Sequence, residues 1–403
     1  MHVLLTDGSG LTARQSANRL AAAGHDVEAL APDPLCLCRF TRHIRRIHRV
    51  PAYGSDPLSW LQAALAIYRL GHFDVLFPTQ EQVAVLSFAQ ERLRASSVAT
   101  VVPRFASLAA VQDKICAFGT LRRLGIPQPS TAIEAEGWTT FPAFVKDPIG
   151  TASGGVRRVT TTQELLSAAT GRSVLIQAAV AGPLAMCQAV FDQGSLIAFH
   201  ANQRTAEGAN GGASHKRSIE LPDVRRWFEV LGAELEWHGA LSADVILGDS
   251  GPVFIDVNPR LVEPENAWRS GVDLVRPMME LAIGSSPTKQ PESRPEVATH
   301  QLLLAVLGAA QQGRGRRGVV AELRNAWRKS GLYQDSIEEL TPRARDPKAL
   351  VPVVMAAVAT IVSPRSWSWF ASGSVTSYAL SDAGWQKILE EARRLGAGNK
   401  CDE

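Results

Sequence analysis

Three oxygen-bearing side chains in the middle of the chain have the types and spacing to do chemistry: Asp244 in SADVIL, with Asp256 and Asn258 in FIDVNPR. Asp256 and Asn258 are two apart in a strand-like run, so their side chains leave the same face. The turn GDSG between the two runs predicts an antiparallel hairpin, which brings Asp244 toward the other pair. Hard oxygen ligands without histidine or cysteine suit magnesium, with manganese as a second candidate; magnesium commonly keeps waters and bridges nucleotide phosphates. Taken alone, the same pattern fits a solvated acidic hairpin equally well.

The cationic counterpart is Lys146, at the end of the apolar run FPAFVK and just before the loop DPIGTASGGV. Gly150, Gly154 and Gly155, with Ser153 between them, let backbone amides approach an anion closely, and the lysine supplies a compact positive charge. This is not a Walker A loop, because the lysine precedes the glycines and no GK[ST] follows. Lys114, on a helix predicted over Leu108–Leu124, is a second phosphate-contact candidate whose alternative is plain surface charge.

The elements that must position these residues follow from periodicity. His2–Thr6, Val27–Leu30, Asp74–Phe77 and Ala99–Val102 read as short buried strands, and Thr12–Ala23 and Ser55–Leu70 as helices. Such alternation predicts an α/β domain with a parallel sheet over residues 1–105. From Phe144 to Asp256 the pattern changes to paired strands with glycine turns, so residues 106–285 read as an α+β domain. Pro287, Pro291 and Pro295 mark a linker at 286–298, and residues 299–403 read as a mostly helical region rich in Trp and Arg.

In this order the elements resemble the ATP-grasp superfamily. Asp113-Lys114 matches its "DK" helix, GIPQP its exit from that helix, Lys146 with GTASGGV its strand lysine and glycine loop, LIQAAVAG its hinge, and FIDVNPR its terminal "ExNPR". The resemblance covers about residues 1–285. It implies that Lys114 and Lys146 hold ATP phosphates, that the loop from Gly150 to Gly155 closes over them, and that Gln177, Ala178, Ala179 and Val180 present backbone to adenine. It further implies that Asp244, Asp256 and Asn258 bind magnesium, that Arg260 faces the reacting carboxylate or acyl phosphate, and that Arg204 lies near the transferred phosphate. The chain departs from the pattern in two places. Asp256 stands where the family has glutamate, and Ala178, Ala179 and Leu184 occupy a hinge that often carries acidic residues.

The implied activity is that of an ADP-forming carboxylate-amine ligase, with ATP and magnesium as cofactors and a small carboxylate and an amine as substrates. The tail SVTSYALSDAGW resembles that of bacterial carboxylate-amine ligase-like proteins. Three other readings stand beside it: a bicarbonate-using carboxylase of the biotin or purine-pathway type, a non-catalytic nucleotide-binding scaffold, and an NAD-binding protein. The last rests on G8-S-G10-L-T-A13, which fits a GxGxxA fingerprint with Glu28 near the acidic position, although a simple glycine turn explains it better.

Composition restricts these choices. With 403 residues, 45% hydrophobic residues and a net charge of +3, the chain reads as globular and gives no sign of a polyanionic partner, so nucleic acid is not expected. Five cysteines, Cys36, Cys38, Cys116, Cys187 and Cys401, lack the spacing of zinc sites or a disulfide framework and fit a reducing cytoplasm. The N-terminal MHVLLTDGSG has neither a basic n-region nor a signal h-region. The apolar run Ala349–Val362, about 14 residues long, falls short of a bilayer span. Core packing is its default reading, and a membrane-surface helix flanked by Arg365, Trp367, Trp369 and Phe370 is the alternative. A homodimer is compatible with the sequence. The basic run Arg39, Arg42, Arg45, Arg46 and Arg49 reads as a solvated face, GANGGASHKR at 208–217 as a surface loop or lid, and GDSGP as a hairpin turn, despite its likeness to a protease nucleophile loop.

Overall fold

In the computed structural model, which describes residues 1–340 and 346–396, the N-terminal region alternates strand and helix. β1 (His2–Leu5), α1 (Leu11–Ala22), β2 (Asp26–Ala31), β3 (Ile47–Arg49), α2 (Pro57–Leu70) and β4 (Val75–Phe77) build a parallel sheet in the order β3-β2-β1-β4. Val3, Leu4 and Leu5 are fully buried, as a strand covered on both faces requires. The strand expected at Ala99–Val102 does not form. That segment runs beside β4, with Leu76 N donating to Ala99 O at 2.9 Å, but Pro103 lacks the N–H that would continue a ladder.

Helices α3 (Val83–Phe88), α4 (Gln90–Ala95), α5 (Phe105–Gln112) and α6 (Lys114–Arg123) follow. The single helix expected over Leu108–Leu124 is therefore two. Asp113 takes an extended backbone between them, and its carboxylate caps α6 by accepting from Ile115 N at 2.7 Å and Cys116 N at 3.3 Å. Lys114 consequently begins a helix instead of lying along the flank of a longer one.

Two antiparallel sheets form the central region. β5 (Thr131–Ala132), β6 (Ala143–Lys146), β7 (Val156–Val159) and β8 (Leu175–Ala178) make the smaller one, in the order β5-β8-β6-β7, covered by α7 (Thr162–Ala169). The larger is built from β9 (Leu184–Asp192), β10 (Ser195–Glu207), β11 (Ala213–Ser218), β12 (Gly239–Gly248) and β13 (Gly251–Asn258), with α8 (Pro222–Glu234) packed on it. Residues 208–217 are not one loop. Only 208–212 are irregular, and the polar run that follows is strand β11, whose Lys216 is buried because two glutamates receive it.

After α9 (Glu265–Arg269) and α10 (Val275–Ala282), β14 (Ala298–His300) adds to β11 and extends the large sheet. The chain continues through α11 (Leu302–Gln311), α12 (Gly315–Arg328), β15 (Ile337–Glu338), α13 (Leu350–Val362), α14 (Trp367–Tyr378) and α15 (Asp382–Arg394). The C-terminal region is mostly helical, and α15 returns to the N-terminal region. There Trp385, Ile388 and Leu389 share a core with Trp60, Leu61 and Leu108. Among the described residues no helix is long and apolar enough to cross a membrane.

Docking of α15 depends on a close backbone approach. A Cβ on Gly384 would lie 2.1 Å from Gly54 O, and Ser381 Oγ donates to the same carbonyl at 2.7 Å. Gly384→Ala is expected to destabilise the protein by about 1–3 kcal/mol, as overpacking against fixed backbone does. Thermal denaturation should show a lower Tm; an unchanged Tm would mean that the contact yields without cost.

Candidate active site

The β12–β13 register sets Asp244 directly opposite Asp256, and Ser242 opposite Asn258. The hairpin predicted around GDSG is thus present, and Gly248 pairs with Gly251 across it. Asp244, Asp256 and Asn258 all line a cavity of about 880 Å³ whose walls come from both central sheets, from α1 and the loops that follow β1, β2 and β4, and from the C-terminal helices. Burial pushes the Asp244 carboxyl up to about 7, with Asp256 adding to the rise and Lys146, Arg260 and Arg204 opposing it. Two facing carboxylates, one of them resisting ionisation, make a place where a cation is electrostatically favoured.

Among the described residues no three His, Cys, Asp or Glu side chains cluster with metal-binding geometry. The set here is two carboxylates and an amide. It fits magnesium, which takes few protein oxygens and fills its remaining positions with phosphate and water. A cation held by Asp244 would have to displace its proton, so affinity for magnesium is expected to fall about tenfold for each pH unit below 7 and to level off above it. Calorimetry in buffers of different ionisation enthalpy should detect about one proton released at pH 6 and little at pH 8. Affinity independent of pH would exclude Asp244 from the site.

Lys146 ends β6 with its Nζ donating to Gln177 Oε1 at 2.7 Å and to Ile255 O at 2.6 Å. Burial holds its ammonium below the ordinary lysine value, an effect countered by Asp256. Lys114 Nζ donates to Gly150 O at 2.9 Å, which ties the start of α6 to the glycine loop. The loop needs its glycines: a Cβ on Gly150 would meet Gly154 O at 2.3 Å, and Gly155 has φ +75 with Asp147 Oδ2 2.6 Å from its Cβ position. Gly150, Ser153 and Gly154 line the cavity, whereas Gly155 does not.

Arg260 Nε donates to Glu81 Oε1 at 2.8 Å, leaving its two terminal NH2 groups available to the cavity it lines. Arg204 Nη1 donates to Gly211 O at 2.6 Å and also borders the cavity. At the hinge, Gln177, Ala178 and Val180 line the cavity but Ala179 does not. The amides of Ala178 and Ala179 are already engaged, by Ser130 O at 2.8 Å and Pro142 O at 2.9 Å. Apolar contacts from Phe144, Val180, Leu184 and Met186 remain for a planar ring at that end.

Sequence reasoning missed several residues at the site. Glu81, just after β4, holds Arg260 and receives Thr151 Oγ1 at 3.1 Å, so it links the N-terminal sheet to the glycine loop. Its only signal was an acid in TQEQ at the carboxyl end of a parallel strand, where ligands of open α/β sheets gather. Glu263 lines the cavity and is paired with buried Lys216, which also meets Glu339 at 3.1 Å. Tyr378, at the end of α14, borders the cavity as well, and burial raises its phenol while Arg260 opposes the shift.

Other candidates have structural occupations. Gly10 N donates to Asp7 Oδ2 at 2.7 Å, and Glu28 accepts from His48 at 2.5 Å, so the second glycine of the GxGxxA pattern and the acidic residue that would accompany it are engaged within the protein. Part of the basic run forms β3, with Arg45 paired to Asp26 at 2.9 Å. Cys36, Cys38 and Cys187 are buried thiols, and burial pushes Cys36 up to about 12. Cys401 lies outside the described residues.

Residues 111–264 match the family model for the ATP-grasp domain. No curated protein matches the chain. Among solved structures it is similar to a Campylobacter jejuni biotin carboxylase in complex with β,γ-ATP, at 15% identity over 74% of each chain with a TM-score of 0.58. It is also similar to the biotin carboxylase domain of the Hydrogenobacter thermophilus 2-oxoglutarate carboxylase, solved with MgADP and bicarbonate: 17% identity, 74% of this chain, 73% of that one, TM-score 0.58. For an L-amino acid ligase from Bacillus licheniformis the values are 14%, 74%, 78% and 0.56. The matched segment, residues 111–264, is an ATP-grasp domain, and the chain shares its fold with these enzymes. This chain carries its ATP-grasp domain between an N-terminal parallel α/β unit and a mostly helical C-terminal region.

Proposed function

We propose that this protein is an ADP-forming ligase that activates a carboxylate as an acyl phosphate and passes the acyl group to an amine. The observation that carries this reading is the convergence of Lys114, Lys146, Asp244, Asp256, Asn258 and Arg260 on one cavity. Asp244, Asp256 and Asn258 would hold magnesium, which when bound supplies positive charge to the phosphate oxygens. Lys146 and Lys114 neutralise the phosphates from the other side, with Gly150, Ser153 and Gly154 covering them. The hinge from Gln177 to Val180 receives the adenine, chiefly through apolar contact given its engaged amides.

Arg260, fixed at Nε by Glu81, points its free NH2 groups toward the substrate carboxylate, and Arg204 guards the phosphoryl path. A carboxylate oxygen attacks the γ-phosphorus and the bond to ADP breaks. The amine then attacks the acyl carbon, phosphate leaves with the carboxylate oxygen, and the amine loses a proton. No side-chain nucleophile is required, which agrees with a site built of cations and oxygen ligands. That an L-amino acid ligase shares the fold supports the reading.

Incubation with Mg-ATP and pools of acids and amines should release ADP and phosphate only when a matched pair is present. Release of AMP would contradict the mechanism. ADP release driven by bicarbonate in place of the organic acid would instead favour the carboxylase reading.

A further inference from the structure

We propose that the carboxylate activated here carries a long apolar tail, of the class of medium-chain fatty acids, and that this tail lies along α11, α13 and α14. The proposal rests on the ligase reading for its reactive end. Beyond Glu263, every described residue that the chain contributes to the cavity wall is uncharged. Leu303, Leu304 and Leu307 come from α11, Met355 from α13, and Trp369 and Phe370 from α14.

This apolar wall adjoins the phosphate end through direct contacts. Ser153 Oγ of the glycine loop lies 3.4 Å from the Cβ position of Gly211, Arg204 binds the Gly211 carbonyl, and Leu304 Cδ1 lies 3.4 Å from the Cβ position of Gly212. It is also separate from the apolar residues suited to adenine. Those lie around β8 and β9, whereas α11 packs on β11, two strands and roughly 10 Å across the sheet. Two apolar ends thus flank one charged centre, and a purine can fill only one of them.

The mouth of the second end is uncovered. Trp369 is 72% exposed and Met355 46%, although both line the cavity, and Val351, Val354 and Val358 continue the same exposed surface along α13. Core packing does not explain side chains that face both a cavity and water. A ligand with a charged head and an apolar tail accounts for the shared cavity, the uncharged wall and the exposed rim together.

Calorimetric titration of butanoate and decanoate into protein saturated with Mg-ADP tests this, alongside the variants Trp369→Ser and Met355→Ser. Burial of a methylene strengthens binding about fourfold, so decanoate should bind at least about a hundredfold more tightly than butanoate after chain ordering is allowed for. Each variant should weaken decanoate about tenfold and leave butanoate unchanged. Equal binding of the two acids, no binding of decanoate, or a chain-length dependence that survives both variants would overturn the proposal. So would capture of the protein by phosphatidylcholine vesicles without a preference for decanoate, which would assign the α13–α14 surface to a membrane. The ligase reading is judged separately, by ADP release with hydroxylamine as the amine. Turnover of short acids without decanoate binding would sink the tail site alone, whereas decanoate binding without ADP release from any acid would sink the ligase reading alone.

Discussion

Asp256→Ala is expected to lower nucleotide turnover about a thousandfold or more, the loss that follows when one of two carboxylates is taken from a metal and phosphate site. The fold should not suffer. Asp256 faces Asp244 across the β12–β13 ladder and helps to push that carboxyl up to about 7, so its removal relieves a repulsion, while the buried Lys146 ammonium keeps Asp244 as its counter-charge. The variant should therefore melt at or above the wild-type temperature in the absence of ligand, and the Asp244 carboxyl should move down. Asp256→Glu, which installs the residue of the ATP-grasp pattern, should keep turnover within about tenfold of wild type, because the ligand type is preserved. Wild-type turnover by Asp256→Ala would remove this carboxylate from the mechanism.

Lys146→Ala should also lower turnover, by about a hundred- to a thousandfold, but with the opposite effect on stability. The ammonium donates to Gln177 Oε1 and Ile255 O, and it counteracts the raised Asp244 carboxyl. Its loss leaves the buried Gln177 Oε1 without its donor, at about 1–3 kcal/mol, frees the part-buried Ile255 carbonyl, and removes a compensating charge from the acidic pair. A lower melting temperature should accompany the lost activity. The two variants thus separate a catalytic defect from a folding defect: one loses activity while holding or gaining stability, the other loses both. A wild-type melting temperature for Lys146→Ala would rule out a stabilising ion network around Lys146.

Some of this was legible in the sequence because the signals were local. Asp256 and Asn258 share a face by strand alternation, and the glycine turn fixes the partner strand, so the position of Asp244 follows from sequence alone. The glycine loop after Lys146 was equally local. Residues that converge from distant segments carried no such signal. Glu81 reaches Arg260 across 179 positions, and Glu339 reaches Lys216 across 123. Lys216 itself sits in a polar, glycine-flanked run that reads as a loop, and only its buried glutamate partners make it a strand residue. The break between α5 and α6 was visible in principle, since Asp113 is a strong N-cap, but the apolar pattern runs through it. Tyr378 and Trp369 were read as tail and core because nothing in their neighbourhood indicates that α14 returns to the cavity.

Attack of a substrate carboxylate on the γ-phosphate of ATP leaves an isotopic trace, because an oxygen of the acid departs with the phosphate. Carboxylic acids of several chain lengths, labelled with 18O in the carboxyl group, are incubated with the protein, Mg-ATP and hydroxylamine, and the products are read by mass spectrometry. The expected products are ADP, a hydroxamate, and inorganic phosphate carrying one labelled oxygen from the acid. Unlabelled phosphate formed together with the hydroxamate, or AMP with pyrophosphate, would contradict that attack.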